Sequence, residues 1–307
     1  MRVKVLQRLT EQDAESVDDV LRAAAEHDGH TSLSEHKRME LDHGGPSRTR
    51  FVLAWQSGHD HAVGYGHLSH LGSSPPEWGA EIVVHPQHRG IGFELALAQA
   101  ALAEASRQGG GRLTLWAMDA TDTHEALAHR LGLRRSRALL QMRRPLPHPD
   151  TPVWPEGVHV RAFVPGSDEQ EWLEVNERAF AGHPEQGRWD MQTLLRRMAE
   201  PWFDPRGFLL ARDERGMAGF CWTKVHEAPR IGEIYVIAVD PDRAGRRLGS
   251  TLVLAGMQVL SERGLPAVML YVDADNAPAV SMYGRLGFVV HHTDRAYVTD
   301  VPTGAGT

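Results

Sequence analysis

The chain has one cysteine, Cys221, so an intrachain disulfide framework is excluded and a reducing compartment is expected. Lysine is nearly missing as well: Lys4, Lys37 and Lys224 stand among basic residues that are otherwise arginine. Positive charge is in overall deficit, with a formal net charge of −7 over 307 residues. That balance lacks the basic stripe of a nucleic-acid binder, so no nucleic-acid partner is expected. No apolar run approaches the ~18 residues of a membrane span, and Met1–Arg8 has no signal-peptide core. The expectations are a cytoplasmic protein without a membrane partner, acting as a monomer. Histidines are frequent between 27 and 70, but they lack metal-ligand spacing and a companion cysteine, so no metal is expected. Cys221, in a strand with no apparent histidine partner, reads as a packed residue rather than a nucleophile.

What is present is a repeat. Val84 and Val239 lie 155 residues apart, and so do Leu131 and Leu286, in Arg-Leu-Gly-Leu and Arg-Leu-Gly-Phe. Apolar periodicity gives the same order of elements twice. In the first copy a strand at 3–6 precedes a helix at 11–26, a polar stretch 27–50, strands at 51–55, 62–68 and 78–84, a helix at 93–107, a strand at 112–118 and a helix ending near 133. In the second, a strand at 158–162 and helices at 169–180 and 190–199 precede strands at 207–211, 217–225 and 232–239. A helix from Leu248, a strand at 267–272 and a helix at 277–286 complete it. The simplest reading is a tandem duplication of one α/β unit, each a mixed sheet flanked by helices. The expected domains are 1–145 and 158–307, joined by a proline-rich linker at 146–157.

The stretch Gly232–Ser250 concentrates the chemistry. A strand ends at Val239-Asp-Pro, a basic glycine loop follows, and a helix begins at Leu248. Backbone N–H groups and a helix N-terminus in that order suit a phosphate. The spacing is neither the P-loop nor the dinucleotide fingerprint. The first copy carries the counterpart Gln87-His-Arg-Gly-Ile-Gly92; the second, counted from Ala244, reads Ala-Gly-Arg-Arg-Leu-Gly249. At the fixed offset Glu233 falls opposite Trp78, Asn276 opposite Thr121 and Tyr283 opposite Ala128. Groups able to move protons thus occur in the second copy alone, which assigns the chemistry there. Each has an ordinary alternative: Tyr283 as a core aromatic, Glu233 as a solvated strand residue, the basic loop as a surface turn.

These motifs resemble those of the GNAT-family N-acetyltransferases, in which a strand ending Val-Asp-Pro leads into Gln/Arg-x-x-Gly-x-Gly/Ala. The resemblance covers the chain twice and implies the tandem GNAT acyltransferase fold, with mostly antiparallel sheets and acetyl-CoA as co-substrate. A narrower resemblance lies in Ala179–Gly187, Glu200–Pro205, Gly219–His226, Gly232–Val236 and Leu270–Asn276. It is to the tandem GNAT enzymes that acetylate the cysteinyl amine of cysteinyl-glucosaminyl-inositol. This implies a catalytic C-terminal domain and an N-terminal domain that binds acetyl-CoA at most non-productively.

Carried over by residue, the resemblance makes Glu233 the base and Tyr283 the acid. It gives the thiol substrate Glu35 (reaching across from the first domain), Glu185, Lys224, Glu233 and Tyr271. The productive acetyl-CoA would be held by Ile237, Ala238 and Val239, by Ala244, Gly245, Arg246, Arg247, Leu248, Gly249 and Ser250, and by Asn276, Ala277, Pro278, Ala279, Val280, Ser281 and Met282. Ile82, Val83, Val84, His88, Arg89, Gly90, Ile91, Gly92 and Phe93 would line the non-productive site. Another small-molecule or peptide amine as acceptor, and a non-catalytic acyl-CoA-binding module, remain open alternatives.

Overall fold

The computed structural model describes residues 1–43, 48–72, 74–183 and 186–304. The chain runs β1 (Arg2–Leu6), α1 (Glu11–Asp28), α2 (Glu35–His43), β2 (Arg50–Trp55), β3 (Gly64–His70), β4 (Glu77–Val84), α3 (Phe93–Arg107), β5 (Gly111–Ala117), α4 (Asp122–Arg130) and β6 (Arg134–Pro145). It continues with β7 (His159–Ala162), α5 (Glu169–Ala179), α6 (Met191–Met198), β8 (Phe208–Asp213), β9 (Gly216–His226), β10 (Ile231–Val239), α7 (Leu248–Glu262), β11 (Ala267–Asp273), α8 (Ala277–Arg285) and β12 (Val289–Val301). The periodicity located nearly all of these. It left out α2, a short helix with a weak apolar face, and the long strands β6 and β12.

Two compact units result: Met1–Leu139 with His292–Thr307, and Leu140–His291. The sequence expected boundaries at 145 and 158 with the whole C-terminus in the second domain. Two pairings account for the difference. Residues 295–301 of β12 pair antiparallel with β5, from Arg295↔Ala117 to Val301↔Gly111, so the chain's last strand belongs to the first unit. The proline-rich stretch is bound to the second unit rather than free: Leu146 N–H donates to the Pro266 carbonyl at 2.9 Å, and Trp154 packs on the core.

Within the first unit the strand order is β1-β2-β3-β4-β5-β12. Its sheet is sandwiched between a layer holding Val17, Val20, Leu21 and Ala24 of α1 and another holding Phe93, Leu97, Ala98 and Ala101 of α3. In the second unit the order is β6-β11-β10-β9-β8-β7. One face packs on α7 and α8 through Ile234, Leu252, Leu270 and Phe288; the other meets α5 and α6 through a cluster of Trp172, Phe208, Phe220 and Trp222. Helix α7 lies close because Gly256 has no side chain: a Cβ there would come within 2.7 Å of Cys221 Sγ and Ile234 Cδ1. Cys221 is fully buried and its thiol is pushed up to about 12 by burial, so it takes the packed role expected of it.

Candidate active site

A β-bulge in β10 organises the site. Ile234 pairs with Thr223, but the next partner on β9, Trp222, pairs with Val236, so Tyr235 is an extra residue. A regular strand would put Ile234, Val236 and Ala238 on one face, and the bulge interrupts that alternation. Ile234 faces α7 with Ile237 and Val239, whereas Val236 and Ala238 face α5. Glu233, preceding Ile234, points to the α5 side, directly opposite Lys224 of β9.

Strand β4 of the first unit pairs with β3 without a break, Ser69 opposite Gly79 and His70 opposite Trp78. Both neighbours of Glu233 then give its counterpart as Gly79, not Trp78: Lys224 corresponds to Ser69, and Met269 of β11 to Thr114 of β5. Trp78 is turned to the opposite, α3 side, where its indole N–H donates to the Gly110 carbonyl at 2.8 Å. Around Gly79 the first unit places an ammonium, Lys37 Nζ, which donates to the Gly79 carbonyl at 3.1 Å and to Ser69 Oγ at 3.0 Å, and a carboxylate from α2, Glu40, which accepts from that same Ser69 hydroxyl at 2.6 Å. The first copy thus has glycine, not a glutamate, at the strand position of Glu233, a different residue from the one that the fixed offset indicates.

The bulge also opens the sheet. β10 and β11 run parallel through Gly232, Glu233 and Ile234, paired with Val268, Met269 and Leu270; beyond that point β10 continues to Val239 paired on its β9 side only, among the described residues. The edge of Ile237–Val239 therefore presents strand N–H and C=O groups to a gap, suited to an extended amide-bearing arm. In the first unit the β4–β5 ladder ends one pair later, at Glu81↔Trp116, and Ile82–Val84 form the equivalent edge.

At the far end of β10 the two glycine loops have equal length. A 3₁₀ turn at Pro86–His88 matches one at Pro241–Arg243, and Gly90 (φ 73°) matches Gly245 (φ 86°). Gly92 (φ 103°) matches Arg247 (φ 59°). The expected reading from Ala244, with Gly249 as the second glycine, is thus displaced. Gly245 is the first glycine and Arg247 occupies the second position in the left-handed conformation. Gly249 serves packing: a Cβ there would lie 3.6 Å from Met282 Sδ and 3.7 Å from Val239 Cγ2, so it lets the starts of α7 and α8 approach.

The loop is fixed from beneath by Asp240, which is completely buried. Burial opposes its charge, but Arg178 of α5 at 2.8 Å and the Asp242 N–H at 3.0 Å bring the carboxyl below its ordinary range. Arg243 also binds Asp240, at 3.1 Å, and so belongs to the scaffold, while Arg246 donates to the Glu156 carbonyl at 2.7 Å. Arg247 is exposed, and α7 begins without a side-chain cap. The first-unit loop is anchored by Arg89, bidentate to Asp28 at 2.7 Å. There, however, Gly90 N–H donates to the Glu94 carboxylate at 2.9 Å, so the cradle carries its own anion. Gly249 replaces that glutamate in the second unit.

On the α5 side of the second sheet, Glu233 is buried and its Oε2 lies 2.6 Å from His226 Nε2. Lys224 Nζ sits 4.5 Å from the centre of the Trp202 ring and 5.4 Å from that of Tyr235. Tyr271 is half-buried, and its hydroxyl accepts from Gln141 at 2.6 Å. His183 approaches Asp273, at the end of β11, at 3.7 Å; Glu185 lies outside the described residues. Glu35 opens α2 in the first unit.

On the other side, Tyr283 of α8 is buried in the cluster with Cys221, Ile234 and Leu270, 5.9 Å ring to ring from Phe288. Burial, then the neighbouring Cys221, pushes its phenol well above the ordinary value, and among the described residues its hydroxyl has no hydrogen-bond partner. Asn276 caps α8, accepting from the Ala279 N–H at 3.3 Å, which leaves its amide NH₂ directed outward; Ala277–Met282 form the first turns. Carboxylate and phenol thus flank the gap from opposite faces of the sheet. His226, Trp202 and Asp240 lie in quoted sequence segments that give them no role; His226 follows Lys224 by two residues, a shared strand face that counts only once the register to Glu233 is known.

A sheet splayed at a bulge, with a glycine loop and helix N-terminus at its end, defines an acyl-CoA-dependent transferase. A family model described as acetyltransferase (GNAT) family matches residues 14–133 and again 170–288. The chain belongs to that family, carries the domain twice, and is an acyltransferase. It is 46% identical over 305 residues to the mycothiol acetyltransferase of Streptomyces bingchenggensis, covering 97% of each chain. To that of Streptomyces coelicolor it is 46% identical over 304 residues, covering 97% of this chain and 95% of the relative. To that of Thermobispora bispora it is 45% identical over 303 residues, covering 97% and 99%. It belongs to the family of these mycothiol acetyltransferases. Among solved structures, a GCN5-related N-acetyltransferase from Sphaerobacter thermophilus aligns with a TM-score of 0.75 at 23% identity, covering 99% of this chain and 98% of that one. A tandem GNAT protein from the clavulanic acid biosynthesis pathway aligns with a TM-score of 0.75 at 18% identity, over all of both chains. At these identities the likeness concerns the fold alone. No helix among the described residues is long and apolar enough to cross a membrane, and no group of three or more His, Cys, Asp or Glu among them is arranged to hold a metal.

Proposed function

We propose that this chain transfers the acetyl group of acetyl-CoA to the cysteinyl amine of cysteinyl-glucosaminyl-inositol, the last step in making mycothiol. The observation carrying this reading is that a buried carboxylate, Glu233, and a buried phenol, Tyr283, whose hydroxyl has no hydrogen-bond partner among the described residues, flank one splayed strand pair in the second unit. Near-full-length identity to mycothiol acetyltransferases supports the acceptor. Glu233 takes the proton from the substrate ammonium, and the freed amine nitrogen attacks the thioester carbonyl. The β10 edge at Ile237–Val239 holds the pantetheine arm and supplies an N–H to the carbonyl oxygen. As the C–S bond breaks, Tyr283 gives its proton to the departing sulfur. Gly245–Ser250 and the start of α7 hold the pyrophosphate, while Asn276–Met282 contact the arm. Glu185, Lys224 and Tyr271 bind the hydroxyls and amine of the acceptor.

The test is direct: the protein, acetyl-CoA and the cysteinyl pseudodisaccharide together should release CoA thiol, with the N-acetyl product seen by mass spectrometry. A folded protein that binds acetyl-CoA but releases no thiol with this acceptor would refute the assignment.

The first unit, in this reading, holds acetyl-CoA non-productively along Ile82–Val84 and His88–Phe93, and Glu94 weakens it. A carboxylate on the Gly90 N–H competes with a phosphate for the same donor. Replacing Glu94 with Ala is expected to tighten acetyl-CoA at this unit about tenfold, the worth of one charge-assisted hydrogen bond. Calorimetric titration of wild type and variant measures it; unchanged affinities would show that Glu94 is no barrier.

A further inference from the structure

We infer that His226 is the positioning and proton-relay residue for Glu233. This rests on the reaction proposed above. Glu233 is buried, with 9% of its side chain exposed, and its Oε2 meets His226 Nε2 at 2.6 Å. His226 is more open, at 23% of its side chain, and lines a cleft with Trp202, Asp204, Lys224, Arg230 and Arg263. A buried base needs a path by which its acquired proton leaves before the next turnover. The histidine lies between the carboxylate and the cleft.

The register explains the contact. His226 stands opposite Ile231 on the antiparallel β9–β10 pair, and Lys224 opposite Glu233, so His226 reaches Glu233 diagonally across one face. The first unit supplies a control. Its strand β3 ends at His70, the position of His226 falls on Leu71 beyond it, and the position of Glu233 is Gly79. No glutamate and histidine fill these two strand positions there; the buried Glu40–His67 pair of the first unit, at 2.8 Å, comes from α2 and the middle of β3 instead.

At rest His226 Nε2–H donates to the Glu233 carboxylate; once Glu233 holds the amine proton the imidazole turns over, its lone-pair nitrogen takes that proton, and its other N–H releases one to water in the cleft. The carboxylate is restored, and one proton has moved from amine to solvent. The charged groups facing His226 are Glu233 on β10, Lys224 on its own strand, Glu227 and Arg230 in the following turn, and Asp204, Arg206 and Arg263 around the cleft. Asp204 is held by Arg206 and Arg263, at 2.8 Å each, so it is not a competing partner for the imidazole.

The experiment compares His226→Ala and His226→Gln with the wild-type chain. Alanine is expected to lower kcat about 10- to 100-fold, with KM for acetyl-CoA within twofold, and added imidazole should recover part of the loss. Glutamine still donates to Glu233 but carries no proton, and should stay at least about fivefold below wild type. Wild-type turnover in either variant, or no rescue by imidazole, would overturn the relay. A readout independent of the acceptor separates this from a wrong substrate assignment. In the substrate-free protein, Glu233→Gln should move the ¹⁵N resonances of the His226 ring, assigned by their loss in His226→Gln. Unmoved resonances would overturn the contact itself.

Discussion

Tyr283→Phe should lower turnover by about 10²-fold or more while leaving acetyl-CoA affinity unchanged. The hydroxyl is the only group removed. The ring keeps its place against Phe288 and in the cluster with Cys221 and Ile234. Since that hydroxyl has no partner among the described residues, its loss leaves no buried donor or acceptor orphaned, and stability should change little. What is lost is the proton for the departing thiolate. Burial raises the phenol's pKa, so it is fully protonated at neutral pH and loaded for donation throughout the working range. An acid of this kind contributes about 10²–10⁴-fold. Steady-state kcat, with acetyl-CoA affinity from calorimetry, checks the expectation; unchanged kcat would remove Tyr283 as the acid.

The largest effect is expected at Glu233. Glu233→Gln keeps the shape and an oxygen that accepts from His226, but loses the base, so kcat/KM for the acceptor should fall about 10²- to 10³-fold at neutral pH. The sign of the pH dependence follows from the substrate. An α-amine has an ordinary pKa near 8, so near pH 7 most acceptor is ammonium, and an enzyme without its base must wait for the minor free amine. Raising the pH supplies that form from solution. The deficit of the variant should therefore shrink between pH 7 and 9, whereas a purely structural loss would persist. Rates of CoA thiol release at the two pH values distinguish these outcomes, and a deficit that does not shrink would argue against Glu233 as the base.

Much of this molecule can be read from its residues. Val84 and Val239, with Leu131 and Leu286, reveal the duplication, and apolar periodicity locates helices such as Phe93–Arg107 nearly to the residue. Glu233 and Tyr283 stand out because their sister positions carry no such groups. Three features are not local and were misread or missed. The bulge at Tyr235 inserts one residue into a strand whose apolar alternation continues on both sides, so only the partner strand reveals that Glu233 corresponds to Gly79 and not Trp78. The equal length of the glycine loops is evident from backbone conformation, with Arg247 adopting what Gly92 adopts, whereas matching letters pointed to Gly249. His226 closes the segment Gly219–His226, but nothing in that segment assigns it a role.

The sequence by itself determined the duplication, the family and which copy carries Glu233, Asn276 and Tyr283, because these depend on residue types at regular spacing along the chain. Tertiary structure decided the rest. It assigned residues 295–301 to the first unit, set Lys224 and His226 beside Glu233, and put the Glu94 carboxylate on the first unit's phosphate loop. Each is a choice among edges and partners distant in the chain. Strand pairing and hydrogen-bond geometry make that choice, and local pattern does not encode it.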